Sequence, residues 1–122
     1  MLTGLYDIKT LTSKGVNSYS AQVGINPEDS IFSGHFPGQP VLPGVCTLAI
    51  LKDCICRATE KRLIYCEMAQ CKFTGMVDPS LSGILNVDFV LAGAEEQLTV
   101  NATVSEGERV VMKIKAVMAE VC

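Results

Sequence analysis

The amino-acid sequence predicts an α+β fold, an antiparallel sheet of about six strands wrapped around one long buried helix. Three observations lead there. Six segments read as strands, and most of them alternate apolar and polar residues with the period of a half-buried strand. One stretch, Val45-Cys46-Thr47-Leu48-Ala49-Ile50-Leu51, is apolar without that alternation and gains charges only afterwards, at Lys52, Asp53, Arg57 and Glu60. Between the second strand and this stretch lie three prolines and three glycines in eleven residues, from Gly34 to Gly44. Each proline removes a backbone donor and fixes φ, so this segment is expected to be an ordered or a functional loop and neither helix nor inner strand.

The elements follow in order. Tyr6 to Thr12 is a first strand, with a turn expected at Ser13-Lys14-Gly15. Asn17 to Ile25 is a second, with Tyr19, Ala21, Val23 and Ile25 on one face, and Asn26-Pro27 ends it. A helix begins near Gly44, with Pro43 at or just before its first turn, buried for two turns and surfacing toward its C-terminal end. Arg62 to Phe73 is the next strand. Ser82 to Leu91 places Leu85, Val87, Phe89 and Leu91 on one face; Gln97 to Val104 does the same with Leu98, Val100, Ala102 and Val104. Ser105-Glu106-Gly107-Glu108 makes a hairpin, and Arg109 to Glu120 returns with Met112, Ile114, Ala116 and Met118 inward.

Composition narrows the functional classes. The 122 residues suit a single domain spanning 1–122, and 48% hydrophobic content with 19% charge excludes disorder. No apolar run approaches the ~18 residues that cross a bilayer, and Met1 to Asp7 has neither a basic leader nor an apolar core, so a cytoplasmic location without membrane association is expected. A net charge of −3 with ten dispersed Lys and Arg leaves no basic face for nucleic acid. The six cysteines contain no C-x-x-C pair and only one histidine accompanies them, so no metal is expected and the thiols read as small hydrophobes. No Gly-rich phosphate loop is present, and no cofactor is expected.

The distinctive stretch is Gly34-His35-Phe36-Pro37-Gly38-Gln39-Pro40-Val41-Leu42-Pro43-Gly44-Val45. It resembles the signature loop of the 3-hydroxyacyl-[acyl-carrier-protein] dehydratase family. Cys71-Lys72-Phe73 with Val77-Asp78-Pro79, and the last three strands, extend the resemblance over most of the chain. It implies a hot-dog fold and water loss from 3-hydroxyacyl thioesters of acyl carrier protein, in fatty-acid or polyketide-type synthesis. His35 would be the acid/base, because an imidazole titrates near neutrality and can exchange the proton that a thioester acidifies. The Gly44 and Val45 amides would face the developing enolate oxygen with the helix dipole behind them. Phe36, Pro37, Gly38 and Pro43 would line the substrate.

The same resemblance places a carboxylate fourteen positions after the histidine, and here that residue is Ala49. Three alternatives stay open. Asp53, one turn further along the same face, supplies the acid; it also fits as an ordinary charge where the helix surfaces. The resemblance implies a dimer, either a homodimer or a heterodimer with a related hot-dog subunit, and in a heterodimer a relative that bears the carboxylate supplies it. Or the chain binds or hydrolyses acyl thioesters without dehydrating them, as an acid-deficient subunit or a thioesterase. Glu67 is a more distant carboxylate, and its place in a strand fits a structural role. Acyl carrier protein is acidic as a class, and Lys52, Arg57, Lys61, Arg62 and Lys72 are the cations a docking patch would draw on.

Overall fold

The structure, a computed structural model, describes residues 4–29, 42–78, 83–93 and 97–121. Its elements are β1 (Tyr6–Gly15), β2 (Ser18–Ile25), α1 (Gly44–Thr59), β3 (Leu63–Phe73), β4 (Ile84–Gly93), β5 (Gln97–Glu106) and β6 (Arg109–Glu120). The strands form one sheet in the order β1-β2-β4-β5-β6-β3, and every neighbouring pair is antiparallel. This order leaves β1 and β3 at the two edges.

The faces expected from alternation are the faces observed. Ala21, Val23 and Ile25 of β2, Leu85 to Leu91 at alternate positions of β4, and the alternate residues of β5 and β6 are buried. Tyr19 and Phe89 are register partners across β2 and β4, and their rings stack at 5.3 Å. α1 lies against this apolar face and is fastened at both sides. The Tyr65 hydroxyl of β3 donates to the Leu48 carbonyl at 2.7 Å, and the Tyr6 hydroxyl of β1 donates to Asp53 Oδ2 at 2.7 Å.

Two details differ from expectation. The first hairpin turns at Val16-Asn17 and not at Ser13 to Gly15, because Asn17 adopts φ 59°, a conformation asparagine tolerates, and lets β1 pair as far as Gly15 with a bulge near Ser13. The helix is striped along its whole length instead of buried all round for two turns. Cys46, Thr47, Ile50, Leu51, Cys54 and Ile55 face the sheet, whereas Val45 is 74% exposed. A helix packed on a single sheet can bury only one stripe. At its other end Glu60 takes the left-handed conformation (φ 57°) and the Lys61 amide closes on the Cys56 carbonyl.

Cys46 and Cys54 behave as packing groups, whereas the exposed Cys66 departs from that expectation. Cys54 is fully buried, and burial, with the Asp53 charge second, pushes its pKa up to about 12. Cys46 is likewise raised by burial. Cys66 is exposed on β3. Alkylation of the native protein at pH 8 is therefore expected to modify Cys66 and spare Cys46 and Cys54, read by peptide mass spectrometry; rapid labelling of Cys54 would contradict its burial under the helix. No helix among the described residues is long and apolar enough to cross a membrane.

Candidate active site

Helix α1 starts without help from side chains. Pro43 occupies the N-cap position with extended backbone, offers no side-chain cap, and no acidic residue lies in the first turn. The Cys46 and Thr47 amides reach back to the Pro43 carbonyl at 3.0 and 3.3 Å. The Gly44 and Val45 amides come before any possible helical acceptor, as in every α-helix. The positive end of the dipole thus meets no acidic side chain of its own first turn.

Beside this helix end is a cavity of about 410 Å³, within the usual range for a small-molecule site. Pro43, Gly44, Thr47 and Leu48 form its helix side, and Phe73, Met76 and Val77 face them. Val111 and Met112 of β6 complete it. The lining residues are almost wholly aliphatic or aromatic, with Thr47 the one polar side chain among them. Phe73 and Met76 are largely exposed, so an apolar rim continues outward from the cavity. Gly44 is needed for the close fit at the helix end. A Cβ there would come within 2.8 Å of the Phe73 ring, and a substitution would have to displace that ring.

Of the residues singled out in the sequence, Pro43, Gly44 and Val45 meet at this cavity. His35, Phe36, Pro37 and Gly38 lie outside the described residues. Asp53 stands apart from the cavity, about 14 Å along the axis from Gly44 by helix rise. Both its oxygens are engaged, Oδ2 by the Tyr6 hydroxyl and Oδ1 by Arg57 Nε at 3.1 Å. That network pins the edge strand β1 to the helix. Asp53→Ala is accordingly expected to lower unfolding stability by about 1–2 kcal/mol, the cost of two partly exposed hydrogen bonds to a charged group, with acyl-thioester turnover unchanged. Urea unfolding beside an activity assay reads both; a collapse of turnover at intact stability would return Asp53 to the mechanism. Ala49 lies off the buried stripe of the helix and is half-buried. Among the cations a docking patch would draw on, Arg57 is paired with Asp53 and Lys61 lies 4.0 Å from Glu120.

Sequence reasoning missed Thr47, Phe73 and Met76 as lining residues. It also missed Glu106, whose side chain is buried although it ends a strand at a hairpin. Nothing in the local sequence flags these, because the cavity is assembled from segments about thirty and sixty residues apart and Glu106 meets the Asp78 amide from a segment 28 residues away.

The sequence matches the ApeI-like family model, described as ApeI dehydratase, over residues 12–115. The chain belongs to the ApeI-like dehydratase family. The fold of this ApeI-like chain is shared with solved structures of low sequence identity. The dehydratase heterocomplex ApeI:P from Xenorhabdus doucetiae contains a chain that superposes with a TM-score of 0.74 at 18% identity, covering 93% of this chain and 97% of that one. A putative thioesterase, yhdA from Lactococcus lactis, gives 0.66 at 15% identity, with 99% and 96% covered. An uncharacterized protein from Erwinia carotovora gives 0.66 at 20% identity, with 94% of both chains covered. Comparison with curated proteins by sequence gives no significant match. The ApeI-like chain therefore has the hot-dog fold, and within that fold the cavity lies at the N-terminal end of the central helix.

Proposed function

We propose that this chain is a dehydratase, or dehydratase-like subunit, for 3-hydroxyacyl thioesters of acyl carrier protein, acting with a related hot-dog subunit. The observation that carries this is the apolar cavity at the uncapped start of α1, where the His35 to Val45 motif ends, in a chain of a dehydratase family.

The chemistry follows from the groups available. The thioester oxygen sits at the Gly44 and Val45 amides, where the helix end favours the negative charge of an enolate. His35 removes the C2 proton, with Phe36, Pro37, Gly38 and Pro43 holding the substrate beside it. The electron pair of that C–H bond becomes the C2–C3 double bond, the C3–O bond breaks, and a carboxylic acid protonates the departing hydroxyl so that it leaves as water. Ala49 has only a methyl group, and Asp53 is committed to Tyr6 and Arg57. The acid therefore comes from the partner. The ApeI:P structure, a dehydratase heterocomplex, supports such a pairing here. β3 is the edge on which a second hot-dog subunit would pair, and it carries Ile64, Met68 and Phe73 exposed. The setting is a cytoplasmic fatty-acid or polyketide-type synthesis.

The absent acid at position 49 favours a second reading, in which the chain binds the acyl thioester without turnover, or hydrolyses it. One experiment separates them. The purified chain, alone and with a carboxylate-bearing hot-dog subunit, is incubated with 3-hydroxyacyl carrier protein and the products are weighed by mass spectrometry. Loss of water in the mixture supports the proposal. Release of free carrier thiol and hydroxy acid supports a thioesterase. Bound but unchanged substrate in every mixture supports the binding subunit and overturns dehydration.

A further inference from the structure

The buried carboxylate of Glu106 is used by no step above. Its side chain is 4% exposed, and its two oxygens differ. Oε1 accepts from Arg109 Nη2 at 2.9 Å and from the Asp78 amide at 3.3 Å, whereas Oε2 is buried without a partner among the described residues. The same Arg109 nitrogen donates to the Met76 carbonyl at 2.6 Å. A short strap of chain, residues 74–78, is thus tied to the β5–β6 hairpin by a carboxylate and a guanidinium. The Thr74 hydroxyl and amide add bonds to the Val110 and Val111 carbonyls. At Gly75 the strap runs close to the hairpin: a Cβ there would meet Arg109 Nη1 at 2.7 Å and the Val110 carbonyl at 3.4 Å.

The strap is also a wall of the cavity, through Gly75, Met76 and Val77. It reaches the other wall by one backbone bond, from the Leu42 amide to the Val77 carbonyl at 3.0 Å. Leu42 leads directly into α1. Burying a carboxylate with one oxygen unpaired is costly, and an apolar residue would cost less if packing were the only requirement. What the pair provides is a fixed position for two backbone groups of the strap, the Met76 carbonyl and the Asp78 amide, on either side of the Val77 carbonyl that Leu42 binds.

We infer that Glu106 and Arg109 are positioning residues that set the width of the acyl cavity, and with it the acyl chains admitted, by holding the strap 74–78 against the segment entering α1. This rests on the proposal that the cavity takes an acyl thioester. The test uses the full chain, alone, with two measurements. In hydrogen exchange, Glu106→Ala and Arg109→Met should each speed exchange of the Leu42 and Asp78 amides by about tenfold, the effect of losing roughly one hydrogen bond, with core amides such as Val87 unchanged. In titrations with unreactive acyl-pantetheine amides of stepped chain length, the same variants should flatten the length preference of the wild type. Glu106→Gln keeps the Oε1 acceptor and should restore both behaviours, which a general loss of stability would not allow; it also carries the test if Glu106→Ala does not fold. Unaltered length preference in folded variants overturns the inference. Wild-type protein that binds no acyl-pantetheine overturns the acyl site itself, a failure visible before any variant is made.

Discussion

Replacing His35 by alanine is expected to lower dehydration of 3-hydroxyacyl carrier protein by the paired subunits about 10²- to 10⁴-fold, the range for loss of a positioned acid/base group. The C2 proton is weakly acidic even next to a thioester, and water is a poor base for it. No second histidine exists in the chain to take over. The amides at the start of α1 would remain, so binding of an unreactive acyl thioester should survive while turnover is lost. Steady-state kinetics with saturating partner subunit, beside an unfolding curve to confirm an intact fold, measure this. Turnover unchanged in a folded variant would remove the histidine from the mechanism and leave the helix end without its base.

The second large effect is a gain. Ala49→Glu places a carboxylate where the family resemblance puts one. The unpartnered chain is then expected to acquire dehydratase activity about 10²- to 10⁴-fold above its own background, the worth of a positioned proton donor. The substitution is structurally mild. Ala49 is off the stripe formed by Cys46, Thr47, Ile50, Leu51, Cys54 and Ile55, so a longer side chain need not enter the core. It is also in a helix interior, where glutamate is well tolerated. Activity of this variant in the absence of any partner would show that a carboxylate was all the site lacked. Continued inactivity with acyl binding retained would mean that the deficiency lies elsewhere in the site.

Much of this molecule can be read from its sequence, and the limits have physical causes. The inner faces of β2, β4, β5 and β6 are legible because period-two alternation is a direct consequence of one-sided burial. The start of α1 is legible because Pro43-Gly44 sits where free amides are harmless and a close approach is needed. Strand lengths are less legible, since β1 continues past its apolar residues on hydrogen bonds alone, to a turn made by Asn17. The role of Asp53 is invisible because its partner Tyr6 is 47 residues away. Glu106 is harder still: Ser-Glu-Gly-Glu reads as a solvated turn, and only the strap, folded over from residues 74–78, buries its carboxylate. The Pro/Gly loop is the reverse case, where residue chemistry is most explicit and fixed offsets carry the information.

The edge strand β3 has a consequence for how the chain can be produced. Eleven residues of backbone are paired on one side only, bulged at two places, with exposed Ile64 and Met68 along them. Such an edge finds a neighbouring strand or invites disordered association. With β3 covered by the proposed partner subunit, polypeptide made in excess of that subunit should be the fraction that precipitates, and synthesis of the two chains in matched amounts would keep both in solution. Stoichiometry, as much as sequence, is then part of what this fold requires.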